Sequence, residues 1–139
     1  MLGNFDFDAI VVGGGHAGVE ASFALAHLGK KVLLTTLNEK MIANTPCNPH
    51  IGGSAKGIVV REIDALGGMM GYFADHDPLQ IKFLNTRKGP GVQCLRAQVD
   101  KKGYPAFVQK TIEEEKNITV LEAMVVGLLH DDISVYGVR

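Results

Sequence analysis

The 139 residues include no tryptophan and two cysteines, only 6% are aromatic, and the charges nearly cancel. Each shortage closes off a class of protein. Cys47 and Cys94 form neither a disulfide framework nor a C-x-x-C redox pair, which points to a reducing, cytoplasmic setting. Fourteen Lys and Arg against 15 Asp and Glu leave a formal charge of −1, so no whole-chain field recruits nucleic acid or a membrane surface. No apolar run approaches the ~20 residues needed to span a bilayer, and no membrane partner is expected. The acidic opening M-L-G-N-F-D-F-D lacks the basic region of a signal peptide. No metal site is expected. With 46% hydrophobic and 21% charged residues, the chain has the apolar matter for a packed core. Its length suits one domain on the usual scale of ~100–200 residues.

Glycine, by contrast, is plentiful, with 17 residues, and its placement carries most of the information. From Asp8 to Gly18 the sequence reads D-A-I-V-V-G-G-G-H-A-G. Ala9 to Val12 have the composition of a strand buried on both faces. Gly13, Gly15 and Gly18 then fit G-x-G-x-x-G at the opening of a helical pattern. Gly13 permits a tight turn, Gly15 lets a pyrophosphate approach the backbone, and Gly18 lets helix and strand pack closely. The helix that follows offers unpaired N–H groups and a positive dipole end to phosphates.

The rest of the chain reads as an α/β arrangement. A helix is expected from His16 to Leu28, with Ala17, Ala21, Ala24, Leu25 and Leu28 facing the core and Gly29 past its end. Lys31 to Thr36 reads as a second buried strand, completing a βαβ unit with a right-handed crossover. Leu37 to Gly57 reads as a long irregular segment, and loops of that length are often functional. Ile58 to Leu66 is helical and stops at Gly67-Gly68, and Ile81 to Leu84 is a short strand. Tyr104 to Lys116 is a helix with Pro105 in its first turn and Tyr104, Phe107, Val108, Thr111 and Ile112 on one face. Ile118 to Leu121 is a third strand. Val125 to Leu129 and Ile133 to Val138 form a hairpin around His130-Asp131-Asp132. No terminating signal closes that last pattern, which suggests a fragment.

Two further runs stand out: T-P-C-N-P-H-I-G-G-S-A-K-G-I-V-V-R-E-I-D-A-L-G-G from Thr45 to Gly68, and L-N-T-R-K-G-P-G-V-Q-C-L-R-A-Q-V-D from Leu84 to Asp100. With the glycine turn, they resemble the amino-terminal part of the glucose-inhibited division protein A family of tRNA uridine 5-carboxymethylaminomethyl modification enzymes. The resemblance covers essentially the whole chain but only about the first quarter of the family's length. It implies a Rossmann-like, glutathione-reductase-like FAD domain, incomplete here, with a parallel sheet and an antiparallel hairpin near the carboxy terminus. Residues 1–139 would be the amino-terminal part of that domain, without the family's NAD-binding insertion or helical carboxy-terminal domain. The implied activity is FAD-dependent modification of C5 of the wobble uridine of certain tRNAs. NADH and methylenetetrahydrofolate would be co-substrates, with a partner GTPase and a homodimer in the full-length protein. The fragment by itself is expected to be inactive. Two residues depart from the family pattern: Gly91 stands where alanine is usual, and Gln93 where an arginine is common. Gly103 and Pro105 also break what is generally a continuous helix.

On this resemblance Gly13, Gly14, Gly15, His16, Ala17 and Gly18 contact FAD. His16, at a helix start, reads as a backbone contact or cap rather than an acid/base group, since a positive helix end disfavours its charged form. Val125, after the third strand, would read adenine through its main chain, with an ordinary core valine as the alternative. The acid that such units place at the end of strand two for ribose is missing. Thr36 and Leu37 stand there, with Glu39 just beyond. Cys47 is the candidate catalytic residue, as a nucleophile or flavin neighbour, since Lys56 and the helix near Gly57 would favour its thiolate; the alternative is a structural loop cysteine. Asn48, Gly52, Gly53, Lys56 and Gly57 would shape the floor beneath the flavin ring, and Cys94 reads as buried and structural. Lys82, Arg87, Lys88, Arg96, Lys101 and Lys102 stand against Asp100 alone. They meet tRNA phosphates or folate carboxylates, or else are scattered solvated charge. Glu113 to Glu115 form an exposed helix face. The rival readings are another two-dinucleotide FAD oxidoreductase, or a non-catalytic nucleotide- or RNA-binding module.

Overall fold

The computed structural model describes residues 7–46 and 48–139. In chain order the elements are β1 (Ala9–Val12), α1 (His16–His27), β2 (Val32–Thr36), a 3₁₀ turn (Glu39–Met41), β3 (His50–Gly52), α2 (Lys56–Ala65), α3 (Met70–His76), β4 (Pro78–Leu84), a second 3₁₀ turn (Pro90–Val92), β5 (Cys94–Val99), α4 (Gly103–Glu114), β6 (Ile118–Glu122), β7 (Leu128–His130) and β8 (Val135–Val138). They divide into two compact units, one of residues 7–42 with Thr111–Arg139 and the other Ala43–Lys110.

In the first unit β1, β2 and β6 form a parallel sheet with β2 in the middle. Asp8 fastens the sheet where β1 begins: its carboxylate accepts from Lys31 N at 2.8 Å, and its own N–H donates to Lys31 O at 2.8 Å. The register places Val11 beside Leu34 and Leu34 beside Val120, all on one face. Helix α1 packs on that face through Val19, Ser22, Phe23 and Ala26. This corrects the expected helix face: Ala17, Ala21, Ala24 and Leu28 are exposed, Leu28 at 75%. The rotation follows from Gly18. A Cβ there would overlap the Gly13 carbonyl oxygen and sit 3.5 Å from Val11 Cγ1, so the turn holding Gly18 must face the strand, and Ser22 and Ala26 follow on the same stripe. Ser22 Oγ donates back to Gly18 O at 2.8 Å.

On the other face of this sheet the edge strands are open, while Thr35 of the middle strand is buried. Ile10 is 36% exposed, Val12 57% and Leu121 47%, so β1 is buried on one face and not on both as its apolar run suggested. The β7–β8 hairpin is antiparallel. Its turn is held by Asp131, whose carboxylate accepts from Ile133 N at 2.8 Å and Ser134 N at 2.7 Å. These two N–H donors hold the Asp131 carboxyl below its ordinary value.

The second unit holds an antiparallel sheet in the order β3-β5-β4, which the sequence patterns did not reveal. The segment from Leu37 to Gly57, read as irregular, contributes β3. The expected strand at Ile81 begins three residues earlier, at Pro78, and β5 and α3 were not anticipated. Around Phe73, which is 2% exposed, the rings of Tyr104 and Phe107 pack edge-on at centroid distances of 6.4 and 5.9 Å. Val108, on the same helix, is fully buried. Helix α4 begins at Gly103, so Pro105 lies in its first turn and interrupts nothing. Asp100 caps that turn, its Oδ1 accepting from Gly103 N at 2.5 Å and Lys102 N at 2.9 Å, and these bonds hold its carboxyl low. Cys94 is buried, as expected.

Two predictions follow from this packing. Phe23→Ala should cost about 3–5 kcal/mol and Leu28→Ala less than about 0.5 kcal/mol, read from denaturant midpoints; the reverse order would restore the face first expected. Asp100 and Asp131 both have lowered carboxyl values in the fold. Their stabilisation is therefore complete above the unfolded value of about 3.9 and is lost as pH falls through the lower folded values. Asp131→Asn should melt below the parent at pH 7, and the gap between the two thermal midpoints should close as pH falls below that value.

Candidate functional site

The carboxyl ends of the parallel strands bring together three segments: 13–15 after β1, 36–39 after β2 and 122–125 after β6. Val12 and Thr35 are register partners, as are Thr36 and Glu122. Gly13 N donates to Thr35 O, and Ala123 N to Thr36 O, both at 2.8 Å. This edge is where open α/β sheets hold their ligands.

Each glycine of the turn does a different job. Gly13 has φ +106°, a conformation L side chains rarely adopt. Gly14 is buried, and a Cβ there would lie 2.7 Å from Ile42 Cγ1 and 3.2 Å from Thr36 Oγ1. Gly15 is the N-cap of α1, with φ −73° and ψ 178°, no side-chain cap, and nothing within 4 Å of where a Cβ would stand. Among the described residues no side chain caps the first turn of α1, which is open beside Gly15, while Gly14 and Gly18 press into the body. An oxyanion at that opening would accept from N–H groups of the first turn and meet the positive end of the helix dipole. This geometry suits the diphosphate of a dinucleotide.

His16 is the first residue of α1 and half-buried, and Ala17 is exposed. Val125 is half-buried, and its main-chain N–H and C=O make no hydrogen bond among the described residues. Thr36 lies at the edge with 9% exposure, but its hydroxyl is engaged locally, 3.5 Å from Asn38 N and 3.4 Å from Asn38 O. Sequence reasoning passed over Glu122. Its exposed carboxylate ends β6 and accepts from Glu39 N at 3.2 Å, which puts an acid at the strand ends where the second strand lacks one. A terminal Glu on a strand was the available signal, though the pairing of Thr36 with Glu122 could not be read from it.

Cys47, the candidate catalytic residue, lies outside the described residues. In its unit, Gly52 and Gly53 have φ +99° and +130°, and a Cβ on Gly57 would come 2.7 Å from Leu95 O, so these glycines are required by the backbone itself. Gln93 Nε2 donates to Lys88 O at 2.9 Å, and this residue therefore holds a turn.

A family model described as glucose inhibited division protein A matches residues 8–139. The chain belongs to this family. The tRNA uridine 5-carboxymethylaminomethyl modification enzyme MnmG of Streptococcus thermophilus is 58% identical over 134 residues, covering 96% of this chain and 21% of that protein. The protein of the same name from Lactococcus lactis is 57% identical over 136 residues, covering 96% and 22%. The structure of Aquifex aeolicus GidA aligns with a TM-score of 0.92 at 50% identity, covering 97% of this chain and 22% of that one. The chain therefore spans about a fifth of the length of the glucose inhibited division protein A relatives it matches.

The glycine roles separate experimentally without any ligand. Gly18→Ala should lower stability by about 1–3 kcal/mol, because backbone must move to admit the methyl group. Gly15→Ala should cost no more than about 1 kcal/mol, the usual penalty for alanine at an N-cap. Equal losses in urea melts would contradict the open edge at Gly15.

Proposed function

We propose that this chain forms the amino-terminal part of the FAD-binding domain of a tRNA-modifying flavoenzyme. The observation that carries this reading is the uncapped first turn of α1, with Gly15 bare and open at the carboxyl edge of the parallel sheet. Gly13, Gly14, Gly15, His16, Ala17 and Gly18 would hold the FAD diphosphate, and the main-chain groups of Val125 would meet its adenine. Glu122, with Glu39 beside it, would serve the ribose hydroxyls. When bound, FAD supplies two-electron redox chemistry.

The reading of the full-length activity rests on the relatives, which are tRNA uridine 5-carboxymethylaminomethyl modification enzymes. In that reading the whole protein modifies C5 of the wobble uridine of certain tRNAs. NADH and methylenetetrahydrofolate serve as co-substrates, a partner GTPase assists, and the enzyme works as a homodimer in the cytoplasm. Cys47 is proposed as the catalytic side chain on the family resemblance alone. No helix among the described residues is long and apolar enough to cross a membrane.

The test is retention of flavin. A full-length protein carrying these residues should purify with, or take up, FAD and show the flavin visible absorption. Gly15→Val should lose at least ten-fold in FAD affinity, about 1.4 kcal/mol, while its circular dichroism stays near that of the parent. A protein that never retains flavin after FAD is added would overturn the reading. Loss of flavin together with unchanged RNA binding would favour a non-catalytic RNA-binding module.

A further inference from the structure

From the strand register of the second unit, we infer that one face of the β3-β5-β4 sheet is a phosphate-binding surface centred on Arg96 and Lys82. Directly paired residues of antiparallel strands project to the same face. The register then stacks three rows on this face. His50, Gln98 and Gln80 form the first, Gly52, Arg96 and Lys82 the second, and Cys94 with Leu84 the third. Two cations thus stand directly opposite each other, an arrangement that disfavours folding when nothing lies between them. No Asp or Glu occupies any position of the three rows. Neither cationic side chain makes a hydrogen bond or ion pair among the described residues.

Two features beside the pair add to its positive field. The row ends at Gly52, where φ is +99° and a Cβ would lie 3.1 Å from Arg96 Cα. The register position beside Arg96 on that strand therefore contributes no side chain. The first turn of α2 lies against the third row, since a Cβ on Gly57 would come 3.1 Å from Cys94 Cβ. That turn starts at Lys56, and its N-cap Ala55 supplies no side-chain cap. An uncapped helix start adds positive charge to the same face.

The chemistry suits a phosphate oxyanion. A guanidinium presents paired donors, the ammonium adds a mobile point charge, and Gln80 and Gln98 place amides in the adjoining row. Lys82 and Gln80 are exposed while Arg96 and Gln98 are half-buried, so the surface is open along β4. A surface with an exposed edge fits the phosphodiester backbone of RNA better than a small anion held in a cavity. Identifying the ligand as tRNA backbone rests on the proposed function. The phosphate site itself does not.

The test compares the 139-residue chain with Arg96→Gln and Lys82→Gln, using inorganic phosphate and chloride at matched ionic strength, and then tRNA. In chloride each variant should melt at or above the parent, because the opposed charges are relieved. Phosphate should raise the parent's melting temperature more than chloride does, and each variant should lose that excess, whereas Lys30→Gln in the other unit should keep it. Binding of tRNA should weaken, with the slope of log K against log salt falling by about one for each charge removed. Variants that keep the full phosphate excess would overturn the site. A lost phosphate excess with unchanged tRNA affinity would overturn the RNA assignment and leave a small phosphate ligand. Flavin uptake is read separately, so failure of the cofactor reading is distinguishable from failure of this one.

Discussion

The contact between Gly18 and the carbonyl of Gly13 governs the first unit. A helix can approach a strand end that closely only where there is no Cβ, and the approach sets the helix rotation as well as its distance. Once Gly18 faces the strand, Ser22 and Ala26 follow it inward and Phe23 is buried beside them. Gly15, the N-cap, has left the helical path with φ −73° and ψ 178°, and nothing lies within 4 Å of where its Cβ would stand. Gly14, wedged against Ile42 and Thr36, completes the turn from the interior side. Any oxyanion at this edge meets backbone N–H groups whose placement was decided by packing.

The second unit works on another principle. Its sheet is antiparallel, its aromatic cluster around Phe73 lies near the Val99 end of the strands, and one face carries a cationic pair that the fold itself does not neutralise. Natural sheets usually set unlike charges across a rung, so a like-charged rung bordered by glycine marks a surface shaped for something other than stability. The carboxylates of this unit are used differently. Asp100 closes the start of α4 through backbone N–H groups, as Asp131 closes the hairpin turn in the first unit.

Much of the first unit was legible in the residues. A β-branched run ending in spaced glycines, followed by an apolar helix and a second β-branched run, leaves few alternatives to a βαβ unit. The facing residues of α4 were read correctly because its apolar positions recur at helical spacing without ambiguity. On α1 the same method failed: the alanine-rich sequence offers several stripes of similar hydrophobicity, and the tie was broken by a steric contact. β3 and β5 were missed for a related reason. Three residues with a terminal glycine carry too little pattern to read, and the alternation along β5 mixes Arg and Gln with Cys and Val.

By itself, the sequence determined the chemistry available at each position: which residues lack a Cβ, which carry charge, which can cap a turn, and the local runs that become helix or strand. Tertiary structure alone decided which of these meet. The pairing of Thr36 with Glu122, the openness at Gly15 and the opposition of Arg96 and Lys82 depend on strand register and helix rotation. Those are set by contacts between residues far apart in the chain, which local periodicity cannot report.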